Sequence, residues 1–193
     1  MMIQTKKKKH AVEEYLELEL ASETRSEYRN GEIIPMTGGT PEHNRISGNL
    51  YIALSLSLRR KPYEAFHVDQ RLWIPDRSLY TYPDVMVVEK PIQLQTGRTD
   101  TVINPCFIAE VLSKSTQNYD RSEKFVAYRT IDNFREYLLI DQYSIHVEHY
   151  IKTAANQWLL SEYHDPMTTL TFSVFEFQIQ IADLYENIDF ANP

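Results

Sequence analysis

Two acidic residues stand in apolar segments of the chain, where a carboxylate needs a specific partner. Glu110 is the single charged residue in the run 106–112, and Asp84 lies between Pro83 and the apolar run 85–88. Burying an unpaired carboxylate is strongly unfavourable. We therefore expect Glu110 to have a cation, a metal ion or an open cleft beside it.

Each acid taken singly also has a structural explanation. Glu110 could form an ion pair with an arginine or lysine, and Asp84 could be an acid at a turn or a strand edge. Two acids on neighbouring core strands, 26 residues apart, instead suit a divalent metal held by oxygen ligands. Magnesium needs one or two protein carboxylates, with water and substrate phosphate as its other ligands.

The apolar runs that hold these acids predict the strands of a sheet. Because residues 106–112 are apolar almost throughout, they are typical of a strand covered on both faces. A strand is also predicted at 64–74, with Phe66, Val68, Leu72 and Ile74 inward. Asn30-Gly31 between two short β-like runs predicts a tight hairpin. Further strands are predicted at 83–88, 136–141, 143–151, 156–163 and 168–172.

Helices are predicted before, between and after these strands along the chain. Thr40 as N-cap and Pro41 as first residue begin a helix of about twenty residues. Its apolar face recurs every four residues: Ile46, Leu50, Leu54 and Leu58. Asp120 and Glu123 form a capping-box-like start for a helix that runs to about residue 130. Shorter helices are predicted at 181–187 and at 11–20, with an apolar side formed by Val12, Leu16 and Leu20.

The length of 193 residues fits a single domain, predicted at 11–193 and of the α/β class, with a mixed sheet. Residues 1–10 are predicted to be a disordered basic tail, because their charges are the four lysines Lys6–Lys9. The chain has 27 acidic and 20 basic residues, so the remainder has 27 against 16, or −11. Such an acidic body does not indicate DNA binding by bulk charge, while a local basic groove stays open.

The single cysteine, Cys106, excludes an internal disulfide and a cysteine-based zinc site. The four lysines are followed by acidic residues rather than an apolar core, which argues against a signal peptide. The longest apolar stretch, 51–58, is far below the ~18 residues of a membrane span. We expect a soluble, cytoplasmic protein that does not act at a membrane.

Seven segments of the chain together match an ordered signature. They are 28–32 (YRNGE), 36–39 (MTGG), 43–44 (HN), 83–85 (PDV), 110–116 (EVLSKST), 120–124 (DRSEK) and 136–141 (EYLLID). In order and spacing they resemble the PD-(D/E)xK nucleases and, within them, the Uma-type restriction endonuclease family. The resemblance spans about residues 11 to 185. It implies a restriction-endonuclease-like core, a mixed central sheet flanked by helices.

The resemblance also implies a magnesium or manganese site. Asp84 and Glu110 would ligate the metal, with the backbone carbonyl of Val111 as a further ligand. A catalytic lysine would orient the attacking water or the scissile phosphate, whose developing charge the metal would stabilise.

This chain departs from the general signature at the lysine. The usual position, two residues after the acid, is Leu112, and the Uma-type branch is expected to use the helical Lys124 instead. Helical side chains lean toward the N-terminus, which would direct Lys124 back toward the Glu110 strand. The alternative is a surface lysine outside the core that pairs with Asp120 at i−4.

Three further residues match positions of this branch. His43 could contact phosphate from the first turn of the long helix, or be a helix-surface histidine. Glu27 could complete the acidic cluster, or pair with Arg25 or Arg29. Asp120 is expected to serve mainly as the N-cap that positions the lysine's helix.

These residues predict a metal-dependent endonuclease that hydrolyses DNA phosphodiester bonds. A catalytically inactive binding or assembly module with the same fold is the alternative, and a metal phosphoesterase acting on a smaller substrate is a third. Because cutting both strands of a duplex with one active site per chain calls for two subunits, we expect a homodimer.

Overall fold

The computed structural model describes residues 8–190. Its longer helices are α1 (Val12–Ala21) and α2 (Pro41–Ser57). A later helical segment comprises α3 (Gln117–Tyr119), a π-helical turn (Asp120–Lys124) and α4 (Phe125–Tyr128), and α5 (Ile181–Leu184) lies near the C-terminus. The strands are β1 (Ser26–Arg29), β2 (Glu32–Pro35), β3 (Tyr63–His67), β4 (Arg71–Ile74), β5 (Leu79–Thr81), β6 (Val85–Glu89), β7 (Thr101–Val102), β8 (Pro105–Leu112), β9 (Glu136–Asp141), β10 (Val147–Ala154), β11 (Gln157–Tyr163), β12 (Thr169–Phe172) and β13 (Phe177–Gln180).

A six-stranded sheet forms the centre of the protein, in the order β11-β10-β9-β8-β6-β3. β8 and β9 are parallel, and the other neighbouring pairs are antiparallel. β8 is buried along its whole length, as its continuous apolar sequence predicts. The α/β class and the mixed central sheet flanked by helices are therefore confirmed.

The two faces of this sheet bury different elements. Val85, Phe107 and Ala109 belong to the core that also contains the apolar side of α2, and all four predicted residues of that side are buried. Because side chains alternate along a strand, the intervening residues of β8 point the other way. Ile108 and Leu112 accordingly pack in a second core, with residues of α4 and of the smaller sheet.

The smaller sheet has the order β2-β1-β5-β4-β7 and begins with the predicted hairpin. Arg29 pairs with Glu32, and the two residues between them have positive φ, 47° at Asn30 and 97° at Gly31. These values are those of a type I′ turn, so the Asn-Gly prediction is confirmed. This second sheet was not expected from the sequence.

The prediction of a single strand at 64–74 is wrong, because the chain passes from one sheet to the other within this range. β3 pairs with β6 in the central sheet, whereas β4 pairs with β5 and β7 in the smaller one. Val68 lies between them with φ of 52° and is exposed rather than inward. A β-branched residue rarely adopts this backbone conformation, so a valine at position 68 does not predict a bend.

Other predictions about the buried side of α1 and about the ends of elements also differ from the structure. In α1 the buried residues are Tyr15 and Glu19, and Leu20 is exposed. β10 begins at Val147 rather than near 143, and the terminal helix ends at Leu184. None of the helices formed by residues 8–190 is long and apolar enough to cross a membrane.

The basic tail predicted at 1–10 falls mostly on residues that the structure does not describe. In the described part, the backbone N–H of His10 donates to the carbonyl of Gly31 at 2.8 Å. Its carbonyl accepts from the Tyr28 hydroxyl at 2.9 Å. The chain is therefore anchored on the β1–β2 hairpin before α1 begins.

The apolar side of α2 gives a direct test of this arrangement. Leu54 is fully buried, whereas Leu56, two residues along the same helix, is 68% exposed. We expect Leu54→Ala to lower the free energy of unfolding by about 2–5 kcal/mol through lost burial and a residual cavity. Leu56→Ala should change it by no more than about 0.5 kcal/mol. Urea titrations of both variants that showed equal losses would contradict the orientation of α2.

Candidate active site

Lys124 is buried, as a lysine directed at the Glu110 strand requires and a surface lysine does not. It is the last residue of the π-helical turn Asp120–Lys124, and it is 7% exposed. Single π-turns inside helices are rare, and those that occur are often at functional sites. The turn places Lys124 against the face of the central sheet on which Glu110 lies.

Three carboxylates surround the ammonium group of Lys124. Its Nζ lies 3.1 Å from Oε1 of Glu110, 3.2 Å from Oδ1 of Asp120 and 3.6 Å from Oε1 of Glu27. Burial by itself lowers the pKa of Lys124, but these three charges outweigh it and hold the pKa well above its usual range. The surface-lysine alternative is therefore wrong, although the i−4 pairing with Asp120 is present.

Glu110 accepts a second hydrogen bond that the sequence analysis missed. The hydroxyl of Tyr128 donates to the same Oε1 at 2.6 Å. Lys124 and Tyr128 are four residues apart in one helical segment, and this spacing could have indicated a shared target. Burial, reinforced by the charges of Asp84 and Asp120, raises the pKa of Glu110 to about 8 despite the opposing charge of Lys124.

Asp84 is adjacent to Glu110, as the two-carboxylate hypothesis requires. Its backbone N–H lies 3.4 Å from Oε2 of Glu110. Its Oδ2 accepts from the backbone N–H of Val111 at 2.8 Å, so β8 holds the Asp84 side chain in place. The structure therefore brings together Asp84, Glu110 and Lys124. The backbone carbonyl of Val111 was predicted to be a further metal ligand, and this role stays a prediction.

His43 joins this group from the N-terminal turn of α2. Its Nε2 lies 3.0 Å from Oδ1 of Asp84, and its backbone N–H donates to Oγ1 of Thr40, the predicted N-cap. A Cβ at Gly39 would lie 2.9 Å from the His43 ring, so glycine there allows the loop to pass against the imidazole. Burial lowers the pKa of His43, but the hydrogen bond and charge of Asp84 outweigh it and raise the pKa overall.

Glu27 has both of the arrangements that its sequence left open. It faces Lys124, and its Oε2 accepts from Nε of Arg29 at 2.8 Å. The Thr81 hydroxyl donates to its other oxygen. Burial raises the pKa of Glu27, but the charges of Lys124 and Arg29 lower it overall. Glu27 is therefore an ionised member of the cluster.

The predicted N-cap role of Asp120 is wrong. The helical segment begins three residues earlier, at Gln117, and the backbone N–H of Asp120 donates to the carbonyl of Thr116 at 2.9 Å. The polar run before Asp120 reads as a loop in the sequence, and for this reason the extra turn was missed. Instead of capping the helix, Asp120 is buried inside it and faces Lys124.

The cluster carries more negative than positive charge. Among the described residues, its carboxylates are Glu27, Asp84, Glu110 and Asp120, and its permanent cations are Lys124 and Arg29. When all four carboxylates are ionised, four minus two leaves an excess of two negative charges, or one when His43 is protonated; protonation of Glu110, which its raised pKa favours, removes one more. Buried like charges repel strongly, and an oxygen-ligand divalent cation is the natural neutraliser. The donor set therefore fits Mg²⁺ or Mn²⁺.

Residues 12–183 match the model of the Uma2 family, whose description is "Putative restriction endonuclease". The chain belongs to the Uma2 family. The resemblance drawn from the sequence signature is thereby confirmed.

Curated relatives of this Uma2 chain come from Synechocystis sp. It is 42% identical over 173 residues to the "Uncharacterized protein sll1609", which covers 90% of this chain and 98% of that protein. It is 34% identical over 151 residues to the "Uncharacterized protein slr1290", with 78% of each chain covered.

A solved structure shares the fold of this Uma2 chain. A crystal structure described as "a putative nuclease belonging to DUF820", from Anabaena variabilis, matches with a TM-score of 0.74. The match covers 91% of this chain and 97% of the other, at 20% sequence identity. The likeness therefore concerns the fold.

The raised pKa of Glu110 predicts how the stability of the metal-free protein depends on pH. A carboxyl with a folded-state pKa near 8 and an ordinary value of 4.5 favours the folded state at low pH, and this contribution is lost as pH rises between those values. Glu110→Gln cannot lose it. We expect the free energy of unfolding of the variant, relative to wild type, to rise by about 1 kcal/mol or more between pH 5 and 8.5.

The matched control is Glu64→Gln, which removes a half-exposed carboxylate that pairs with Lys90 at 3.3 Å. A surface pair is worth about 0–1 kcal/mol, so this variant should show no comparable trend. A uniform loss of about 3–5 kcal/mol in Glu110→Gln would instead identify Glu110 as half of a purely structural ion pair.

Proposed function

We propose that this Uma2 chain is a metal-dependent endonuclease that hydrolyses DNA phosphodiester bonds. The observation that carries the proposal is the contact of the buried Lys124 with Glu110, which lies beside Asp84 in a cluster with excess negative charge. Two adjacent carboxylates can hold the metal that assists phosphodiester hydrolysis, and Lys124 adds a cation beside them. The family and the nuclease-like fold support the same reaction class.

Asp84 and Glu110 would hold Mg²⁺ or Mn²⁺, with the backbone carbonyl of Val111 as the proposed third protein ligand. Oε1 of Glu110 accepts from both Lys124 and Tyr128, while Oε2 makes one long contact among the described residues, with the Asp84 N–H. Oε2 is therefore the oxygen most available to a metal. When bound, such a metal activates a water molecule and stabilises negative charge on the phosphate.

The other residues of the cluster set the position and charge of these groups. Asp120 and Glu27 keep Lys124 protonated and directed at Glu110, where its ammonium could orient water or the scissile phosphate. Tyr128 fixes the carboxylate of Glu110. His43, whose raised pKa favours the imidazolium beside Asp84, would contact a phosphate oxygen.

A neighbouring cleft contains two arginines, balanced in formal charge by two glutamates. It has a volume of about 550 Å³, and its lining includes Arg29, Arg77, Glu32, Glu123 and Tyr119. The guanidinium of Arg29 lies over the Tyr119 ring, 3.4 Å from its centroid, and also contacts Glu27. Arginines beside an active site can bind the DNA backbone.

The remaining expectations about the assembly belong to the same proposal. A duplex-cutting enzyme with one such cluster per chain calls for two subunits, so we propose a homodimer. A cytoplasmic location would give it access to DNA.

The catalytically inactive module remains the second candidate, and one observation favours it. A lysine ammonium has three donors, and three carboxylates lie within 3.6 Å of Lys124. If that arrangement persisted with DNA bound, Lys124 would have no donor for a phosphate. The protein would then bind DNA, or another partner, without cutting.

A metal site predicts thermal stabilisation by the metal alone. Because a ligand that binds only the folded state adds RT ln(1 + [L]/Kd), millimolar Mg²⁺ or Mn²⁺ should raise the melting temperature. Asp84→Asn should abolish the rise. Asp69→Asn, the same substitution at a side chain that is 82% exposed, should retain it. Melting curves of the wild type that both metals leave unchanged would count against the site.

The role of Lys124 predicts a loss of DNA nicking that does not depend on unfolding. Because Lys124 is buried, removing it leaves buried carboxylates without their cation, at a cost of about 3–5 kcal/mol. We therefore combine Lys124→Met with Asp120→Asn, which removes one of the carboxylates left behind. This double variant should nick supercoiled plasmid at least about a hundredfold more slowly than Asp120→Asn alone in Mn²⁺.

Two controls complete the nicking experiment. Lys114→Ala should leave the rate unchanged, since Lys114 is exposed and lies over the Tyr143 ring. Chelation of the metal should stop all nicking, and activity that survives both chelator and Asp84→Asn would come from a contaminant. DNA binding without nicking under any divalent metal would support the inactive module.

A further inference from the structure

Two histidines and a glutamate converge at one end of the β10–β11 pair. His146 immediately precedes β10, Glu162 lies in β11, and His164 immediately follows β11. Their potential ligand atoms all lie within 4.8 Å of one another. Nε2 of His146 is 3.1 Å from Oε1 of Glu162, and the two imidazole rings are stacked with centroids 4.5 Å apart.

The sheet, rather than a loop, holds these three side chains together. Val147 pairs with Tyr163 in the antiparallel register, which puts His146 and His164 opposite each other one position further along. Glu162 and His164 are two residues apart and so share one face. The backbone of His146 is fixed by Tyr185, whose hydroxyl accepts from its N–H at 3.2 Å and donates to its carbonyl at 3.0 Å.

We propose that His146, Glu162 and His164 form a binding site for a divalent transition metal, and that this metal is Zn²⁺. Imidazole and carboxylate are common zinc ligands, with bonds of about 2.0–2.2 Å that set tetrahedral ligand separations near 3.4 Å. The His146–Glu162 pair already lies close to that separation. The exposed His164 needs a side-chain rotation to point its nitrogen at the same centre.

The donor chemistry distinguishes this site from the acidic cluster around Glu110. Imidazole nitrogen favours zinc and copper, whereas carboxylate and carbonyl oxygen suit magnesium and manganese. The proposed zinc site contains two imidazoles and one carboxylate, so three protein ligands leave one coordination position for water. A bound metal would also link the start of β10 to the end of β11, the edge strand of the central sheet.

Calorimetric titration of the full chain with zinc chloride tests this assignment. The titration uses the Asp84→Asn background, so that binding at the acidic cluster does not contribute. We expect one equivalent of zinc per chain, retained in millimolar Mg²⁺. Replacing a direct ligand should weaken binding at least about tenfold, in both His164→Ala and Glu162→Gln. Histidine NMR signals of His146 and His164 should shift on zinc addition.

The matched control is His10→Ala. His10 also contacts a carboxylate, with Nδ1 3.0 Å from Glu14, but belongs to no such three-residue group among the described residues. This variant should bind zinc like its parent. The proposal fails if the parent binds no zinc, or if His164→Ala and Glu162→Gln bind it unchanged. Because both side chains are at the surface, circular dichroism should show the same fold in all variants.

Discussion

The contact between Glu110 and Lys124 is the interaction on which the rest of the site depends. Both side chains are almost fully buried, and taking two charges out of water costs more than one contact returns unless further polar groups surround them. Tyr128 supplies a hydroxyl to the glutamate, while Asp120 and Glu27 supply charge to the lysine. The pair is therefore stable only as part of a network, and removing one member leaves the others unsatisfied.

The alternation of side chains along β8 explains how the fold delivers this pair. Phe107 and Ala109 face α2, so Glu110 faces the helical segment that carries Lys124. Leu112, where the general signature would place the lysine, lies on the same face as Glu110 but packs into the second core. A lysine from a helix can meet Glu110 because the ammonium position matters to the chemistry, whereas the backbone that carries it does not.

Sequence reasoning succeeded where local chemistry decides the outcome and failed where distant segments meet. The burial of Glu110, the Asn30-Gly31 turn and the apolar side of α2 follow from neighbouring residues. The bend at Val68 and the second sheet depend on pairing between segments far apart in the chain. Lys124 was selected through the family signature. Its burial was not predicted, because it depends on the helical turn before Asp120, and the polar residues 113–119 do not predict a helix.

Excess negative charge ties the stability of this fold to its proposed chemistry. Burial, reinforced by the nearby Asp84 and Asp120, raises the pKa of Glu110, and the same surroundings attract a divalent cation. A carboxyl held near neutrality must release its proton before it ligates a metal, so metal binding and deprotonation are linked. A higher pH should therefore weaken the metal-free fold while strengthening its affinity for the cation. The loss of stability and the gain in cation affinity at higher pH both arise from this one cluster. A core in which every charge was paired would show neither effect.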